Sequence, residues 1–439
     1  MQPLKIAVIG GGSSYTPELI EGIIVRYEQL PVTELALVDV ESGREKVTVI
    51  AALTERMLRH KGLEHVKVSV HFTLDEAIRG AKFVLTQLRV GQLAARAQDE
   101  RLGLKYNLLG QETTGVGGFA KALRTIPVIL EVARKVEQLA PDAFILNFTN
   151  PAGIVTEAIT RHSNIKSIGI CSGANSMLMD IAKAYEVEKK DVYARIMGLN
   201  HLIFADQIFI KGEDTTDDFM AKLAQGSASN SLKNIPDIGF SSRFAKALHM
   251  YPISYLKYFF LTREMVEAAQ KDASTKGTRG EQTREIEHRL FELYQDEHLS
   301  HKPKELEKRG GAWYSDTACS IISSIYNDKK EIHVVNTVNN GTTPDLPDHV
   351  TIETNAMIDR HGAHPLAYGR LPVKIRGLIQ SVKAYEELTV EAAMTGDYST
   401  ALMALTINPL VPSATLAEKI LDEYLEVNQR YLPQYQAKR

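Results

Sequence analysis

Cysteine and tryptophan are almost missing from this chain of 439 residues, which has two cysteines, Cys171 and Cys319, and one tryptophan. Two cysteines cannot build a disulfide framework, and such sparse use fits a reducing compartment. An excess of positive charge is missing too. The 51 Lys and Arg stand against 54 Asp and Glu, a formal net charge of -3. That balance argues against a nucleic-acid binder, which would carry a basic face. No window approaches the ~20 consecutive apolar residues of a transmembrane helix. The first apolar run, Lys5 to Ile9, passes straight into Gly10-Gly11-Gly12. It has neither the length nor the small-residue cleavage site of a secretory signal. These absences point to a cytoplasmic protein with no membrane and no nucleic acid among its partners. At ~100–200 residues per domain, the length predicts two or three domains.

What is present is an alternation of strands and helices. Leu4–Ile9, Glu34–Asp39, His65–Phe72, Lys82–Gln87, Phe144–Phe148 and Ser167–Ile170 read as short apolar strands. Pro17–Arg26, Glu41–Arg59 and Ala120–Leu139 between them have helical spacing. The pattern predicts an α/β fold with a Rossmann-like doubly wound parallel sheet. Beyond about Asp191 the rhythm changes. A strand pair near Ala194–Ile210 is followed by a polar stretch, Lys211–Asn234. Charged helices are expected near Arg263–Tyr294 and Thr415–Tyr431. Two further strands, Glu331–Val335 and Val350–Asn355, flank an Asn339-Asn340-Gly341 turn. This part reads as a second, mixed α/β domain, with the first spanning 1–195 and the second 196–439.

Gly10-Gly11-Gly12-Ser13-Ser14-Tyr15 follows the first strand and opens a helix. Backbone N–H groups and a helix dipole can hold a pyrophosphate there. Gly10 and Gly12 fit the first two positions of a dinucleotide fingerprint, whereas Tyr15 stands at the third. Asp39 ends the second strand, where an acid can accept from both ribose hydroxyls of NAD and disfavours the 2′-phosphate of NADP. Gly10, Gly12, Ser13, Ser14 and Asp39 are therefore the candidate NAD contacts. The alternative is a plain strand–turn–helix with a glycine loop.

Ordered blocks along nearly the whole chain carry a more specific signal. They are Gly10–Leu19 (GGGSSYTPEL), Arg89–Gly91, Arg96–Glu100 (RAQDE), Gly110–Gly118 (GQETTGVGG), Asn147–Pro151 (NFTNP) and Gly198–His201 (GLNH). Gly277–Arg279 (GTR), Glu307–Asp316 (EKRGGAWYSD), Ser323–Asp328 (SSIYND) and Thr406–Ser413 (TINPLVPS) complete the series. Together they resemble the NAD- and metal-dependent glycosidases of glycoside hydrolase family four, and most of all its 6-phospho-β-glucosidase branch. The resemblance implies a reaction outside the two-carboxylate pattern of most glycosidases. A hydride leaves carbon 3 of the sugar for NAD, a base removes the acidified proton on carbon 2, and the aglycone is eliminated from carbon 1. Water then adds and the hydride returns. A divalent metal, usually manganese, stabilises the charge on the oxygens of carbons 2 and 3.

The same resemblance implies roles for particular residues. Cys171 and His201 match the metal ligands, and two protein ligands leave positions open for substrate oxygens and water. Tyr255, in YPISYLKYFF, matches the base at carbon 2, with Tyr258 as its neighbour in a Y-x-x-Y pair. Glu112 matches an acid that raises the basicity of that tyrosine. Arg96, Asn150 and Arg279 match substrate contacts, and a guanidinium can bind a sugar phosphate bidentately. Read without the family, each of these residues has a plainer role as core or as a surface ion pair. Family members form dimers or tetramers, so a homodimer or homotetramer is expected.

One segment departs from the branch. Its members usually read Cys-Asn-x-Pro after the metal-site cysteine, and this chain reads Cys171-Ser172-Gly173-Ala174-Asn175. Ser172 cannot act as the carboxylic acid found there in α-specific relatives, which disfavours α-phosphoglucosidase chemistry. The change keeps open a phosphogalactoside, a phosphorylated uronide or an unphosphorylated sugar as substrate. An NAD-dependent hydroxyacid dehydrogenase and a non-catalytic NAD-binding protein also share the N-terminal pattern. Asn175 is a candidate replacement for the missing amide, and Cys319 reads as a small core side chain.

Overall fold

Six short strands organise the first half: β1 (Leu4–Ile9), β2 (Val32–Val38), β3 (Lys67–His71), β4 (Phe83–Thr86), β5 (Phe144–Asn147) and β6 (Lys166–Gly169). The computed structural model describes residues 4–226, 235–309 and 314–436. β4 and β5 are buried at every position, as strands covered by helices on both faces must be. The six pair in parallel in the order β3-β2-β1-β4-β5-β6. This is a doubly wound Rossmann order, with its switch point between β1 and β4.

Seven more strands follow: β7 (Val192–Leu199), β8 (Leu202–Ile210), β9 (Glu213–Asp214), β10 (Tyr251–Pro252), β11 (Glu331–Val338), β12 (Thr351–Asp359) and β13 (Gly362–Pro365). They extend the same sheet. β11 joins β6 antiparallel through Asn336 and Gly169, and the order continues β12-β7-β8-β10. The sheet therefore crosses residue 195 without a break. An apolar cluster built on β1, β2 and β4 also contains Leu290, Tyr294, Ile322 and Cys319 from the second half. Cys319 is fully buried in that cluster, the core role read from the sequence.

Several elements differ from the sequence reading. The expected helix over 263–294 is two helices, Thr262–Thr275 and Arg279–Tyr294. Gly277, at φ +85°, takes the left-handed conformation that breaks them apart. Thr278 then caps the second helix in a capping box with Glu281. The polar stretch 211–234 holds β9 and the helix Thr216–Ala224, and its residues 227–234 lie outside the described ones. The Asn-Asn-Gly turn opens a longer loop, because the last strand pair is Val338 with Thr351. Asn339 organises that loop by donating to the carbonyls of Thr343, Leu346 and Pro347. The helices Gln92–Lys105, Val373–Thr395 and Tyr398–Ile407 were not anticipated. Among the described residues, no helix is long and apolar enough to cross a membrane.

Candidate active site

The carboxyl ends of β1, β2, β4, β5 and β6 open on one cavity of about 930 Å³. Side chains just past these strands reach it in turn: Ser13, Asp39, Arg89, Asn150 and Cys171. Its opposite wall comes from the second half, through His201, Tyr255, Arg279 and Arg309.

At the switch point, Gly12 donates its backbone N–H to Asp39 Oδ2 at 2.8 Å, and Val40 donates to Asp39 Oδ1 at 2.8 Å. A Cβ on Gly12 would lie 2.7 Å from Asp39 Oδ2 and 3.0 Å from the Val47 nitrogen, so only glycine lets the loop approach this closely. A carboxylate has room for further donors, so ribose hydroxyls can add to these two. Gly10, Gly12, Ser13 and Asp39 all line the cavity. Ser14 does not. It is fully buried, with its Oγ 3.3 Å from Glu287 and its carbonyl accepting from the Tyr294 hydroxyl. The nonstandard third position also has a partner, since the Arg309 guanidinium lies 4.4 Å from the Tyr15 ring centroid.

Cys171 and His201 both line this cavity. Cys171 caps the helix Ser172–Ala184, its sulfur accepting from the Gly173 N–H at 3.4 Å. Burial, helped by the charge of Glu353, pushes its thiol up to about 12. Binding a cation there would replace the proton. His201 occupies a two-residue turn between β7 and β8 at φ +63°. Burial, with Lys121 adding to it, holds its pKa down at about 3, so the ring is neutral as a metal ligand requires. Nδ1 lies 2.7 Å from the Thr113 hydroxyl, which leaves Nε2 as the nitrogen for a metal. A thiol and a neutral imidazole in one cavity fit a divalent cation that also takes substrate oxygens. No group of three or more His, Cys, Asp or Glu side chains placed to hold a metal occurs among the described residues.

The Tyr255 ring stacks on His201, with centroids 3.6 Å apart and planes within 8°. Tyr258 lies behind it, 6.1 Å between ring centroids, and is not part of the cavity wall. Glu112 sits in a cage of cations. Arg89 bonds its Oε2, Arg96 lies 2.8 Å from Oε1, and Lys121 lies 2.8 Å from Oε2. Burial works against ionising Glu112, but these three cations hold it well below the usual carboxylate range. Lys121 loses this competition: burial and the charge of Arg89 push it down to about 7. Arg96 is also paired to Glu100 at 2.8 Å and stays charged. Arg279 makes no carboxylate ion pair among the described residues; its guanidinium donates to the Arg309 carbonyl at 3.0 Å.

Of the sequence-predicted residues, Glu112, Tyr255, Cys171, His201, Arg96, Asn150 and Arg279 are thus brought together, along with the glycine loop and Asp39. Asn175 is not. Its Oδ1 accepts from Lys189 at 2.9 Å, and the helix face open to the cavity presents Ser172 and Ser176 instead. Lys121 had no assigned role in the sequence reading. Its signal was a lysine inside the apolar helical run after Gly118.

One cavity thus joins a glycine loop and acid that fit a dinucleotide, a thiol and a neutral imidazole that fit a divalent cation, and a group of cationic side chains. Two family models cover most of the chain: family 4 glycosyl hydrolase over residues 5–187 and its C-terminal domain over 196–411. The chain belongs to family 4 of the glycosyl hydrolases. It is 49% identical over 435 residues, 98% of both chains, to a Bacillus subtilis (strain 168) protein named as a probable 6-phospho-beta-glucosidase. It is 42% identical to the 6-phospho-beta-glucosidase of Escherichia coli (strain K12), covering 99% of this chain and 97% of that one. The Thermotoga maritima 6-phospho-beta glucosidase, solved with manganese, NAD+ and glucose-6-phosphate, superposes with a TM-score of 0.89 at 36% identity, over 98% of this chain and 99% of that one.

Proposed function

We propose that the chain hydrolyses 6-phospho-β-glucosides by transient oxidation at carbon 3, with bound NAD and a divalent metal, manganese by the chemistry of its relatives. One observation carries the phosphorylated substrate: the surplus of cations in a buried pocket. Arg89, Arg96, Arg279 and Lys121, the last held at about 7 and so only partly charged near neutral pH, line the cavity; Glu112 is shared by Arg89, Arg96 and Lys121, and Glu100 pairs with Arg96 as well. An anion that enters restores the balance, and the guanidinium of Arg279, with no carboxylate ion pair among the described residues, can receive it.

NAD, when bound, accepts the hydride from carbon 3, and the metal supplies Lewis-acid stabilisation at the oxygens of carbons 2 and 3. The chain's own residues do the rest. Asp39 and the Gly10–Ser13 loop hold the nucleotide. Cys171 and His201 present the metal to the sugar. Tyr255, packed on the His201 ring, is the base for the carbon 2 proton. A phenol of ordinary pKa near 10 needs a nearby cation to act as a base at neutral pH, and its stacking on a metal ligand supplies that proximity. Glu112 keeps its charge in the same cavity, and its partner Arg96 interacts with Tyr255 electrostatically. Asn150 and Arg279 orient the substrate. Ser172 offers no carboxyl group to protonate a leaving group, which supports the β rather than the α anomer. The same reading includes a homodimer or homotetramer in the cytoplasm, with light scattering as the test of assembly.

The decisive experiment is turnover in heavy water with NAD, manganese and a reductant, on nitrophenyl glycosides with and without a 6-phosphate. Product from the 6-phospho-β-glucoside is expected to carry deuterium at carbon 2. Active turnover without deuterium would sink the elimination route. Preference for an unphosphorylated sugar would overturn the substrate, and net accumulation of NADH would indicate a simple dehydrogenase.

A further inference from the structure

The two candidate metal ligands sit on different elements, Cys171 at the start of the helix Ser172–Ala184 and His201 in the turn between β7 and β8, yet both lead to one carboxyl group. Glu353 lies on β12, opposite Gly198 of β7, and is fully buried. Its Oε2 accepts from the Asn200 amide at 3.1 Å. The backbone of His201, next to Asn200 in the same two-residue turn, adjoins this carboxyl group. The Asn200 side chain also adjoins the Cys171 thiol. Oε1 has no hydrogen-bond partner among the described residues. Glu353 is not part of the cavity wall.

Such a placement is costly if it only closes a hairpin. A buried carboxyl with an unsatisfied oxygen loses solvation, and an apolar residue at this strand position would avoid the cost. His201 is also held in the left-handed region, which is uncommon outside glycine. The carboxyl group holds the turn that sets the imidazole, and through Asn200 it reaches the thiolate. Groups that bond metal ligands from behind fix their direction.

We propose that Glu353 is the positioning residue of the metal centre, holding Asn200 and with it both the turn that presents His201 and the neighbour of Cys171. The inference rests on the metal-site reading above. Its role is that of an acceptor, so Glu353→Gln should keep it and Glu353→Leu should abolish it.

The test is a titration of the full chain with Mn2+, followed by the electron paramagnetic resonance signal of free Mn2+, beside an NAD titration. Glu353→Leu should weaken Mn2+ binding by ~10–100-fold, with NAD affinity unchanged. Glu353→Gln should stay within ~3-fold of the parent on the same reasoning. Wild-type Mn2+ affinity in Glu353→Leu would overturn the proposal, as would equal losses in the Leu and Gln variants. Asn200→Ala covers the case in which Glu353→Leu does not fold. It cuts the link to Cys171 and leaves the strand pairing, so it should weaken Mn2+ binding as well; wild-type affinity there counts against the proposal. Cys171→Ser separates the two levels. If it binds Mn2+ as the parent does, the metal-site reading itself fails, independently of Glu353.

Discussion

Tyr255 and Lys121 show how the same cavity treats two proton-carrying groups. Tyr255 faces His201 with its ring parallel to the imidazole, so a cation on that imidazole lies close to the phenol. Removing one hydroxyl should leave the cofactor untouched. Tyr255→Phe is expected to lower kcat by ~10²–10⁴-fold, the range for losing a general base. NAD binding should be unchanged, and deuterium exchange at carbon 2 is the readout; wild-type exchange would remove Tyr255 from the role. Lys121 shares Glu112 with Arg89 and Arg96, and burial with the Arg89 charge lowers it from 10.5 to about 7. The folded chain therefore binds fewer protons than the unfolded chain between pH 7 and 10.5. Stability contributed by this site rises with pH across that window and is lost as pH falls toward 7. Denaturation of the parent and of Lys121→Met at pH 7 and pH 9 should show the parent gaining more over that interval. Equal gains would mean that Lys121 keeps an ordinary pKa.

At the scale of elements, the start of the helix Arg279–Tyr294 sets the backbone of Arg279, the proposed substrate contact. The Thr278 hydroxyl accepts from the Glu281 N–H at 3.3 Å, and the Glu281 carboxylate accepts from the Thr278 N–H at 2.9 Å. Arg279 is the first residue of that helix, so the cap fixes its backbone. Thr278→Ala should cost about 1 kcal/mol of stability and raise KM for a phosphorylated glycoside more than it lowers kcat. A change confined to kcat would separate the cap from substrate binding. This element was half legible. Gly277-Thr278-Arg279 was visible as a motif, but the charged pattern on both sides read as one helix, because a break needs the left-handed Gly277 and not a change of polarity. Strand ends were more legible, since Gly10, Asp39, Asn150 and Cys171 each follow a short apolar run and ligand sites gather at such ends. Lys121, Glu353 and the Arg309 stack on Tyr15 were not. Their meaning depends on partners tens or hundreds of residues away, as Lys121 depends on Arg89 and Glu353 on Asn200. Asn175 erred for the same reason: its partner Lys189 turns it from the cavity.

At the scale of the whole molecule, the cavity needs both halves, and one sheet with a polar seam behind it joins them. Lys383, on the helix Val373–Thr395, reaches Glu157 on the helix Ala152–His162 at 2.5 Å and Glu386 at 2.5 Å. Glu157 also accepts the Thr351 N–H of β12 at 3.0 Å, so strand and both helices meet at one carboxylate. All three charged side chains are buried. Burial works against the ammonium, but the two carboxylates override it and raise the Lys383 pKa. A buried ion pair contributes little net stability, yet removing one partner leaves the other desolvated. Lys383→Met strands two carboxylates and should cost ~3–5 kcal/mol, seen as a lower urea midpoint at unchanged m. Burial, opposed by Lys383, puts Glu386 at about 7. Without the ammonium that carboxyl is expected to take up its proton at a higher pH than in the parent, so the deficit should shrink as pH falls toward 7. Adding Glu386→Gln should recover part of the loss by removing one of the two stranded charges. Unfolding should remain a single transition, because the sheet and the apolar cluster both cross residue 195. Two separated transitions in the variant would show instead that the halves fold independently and that this seam only docks them.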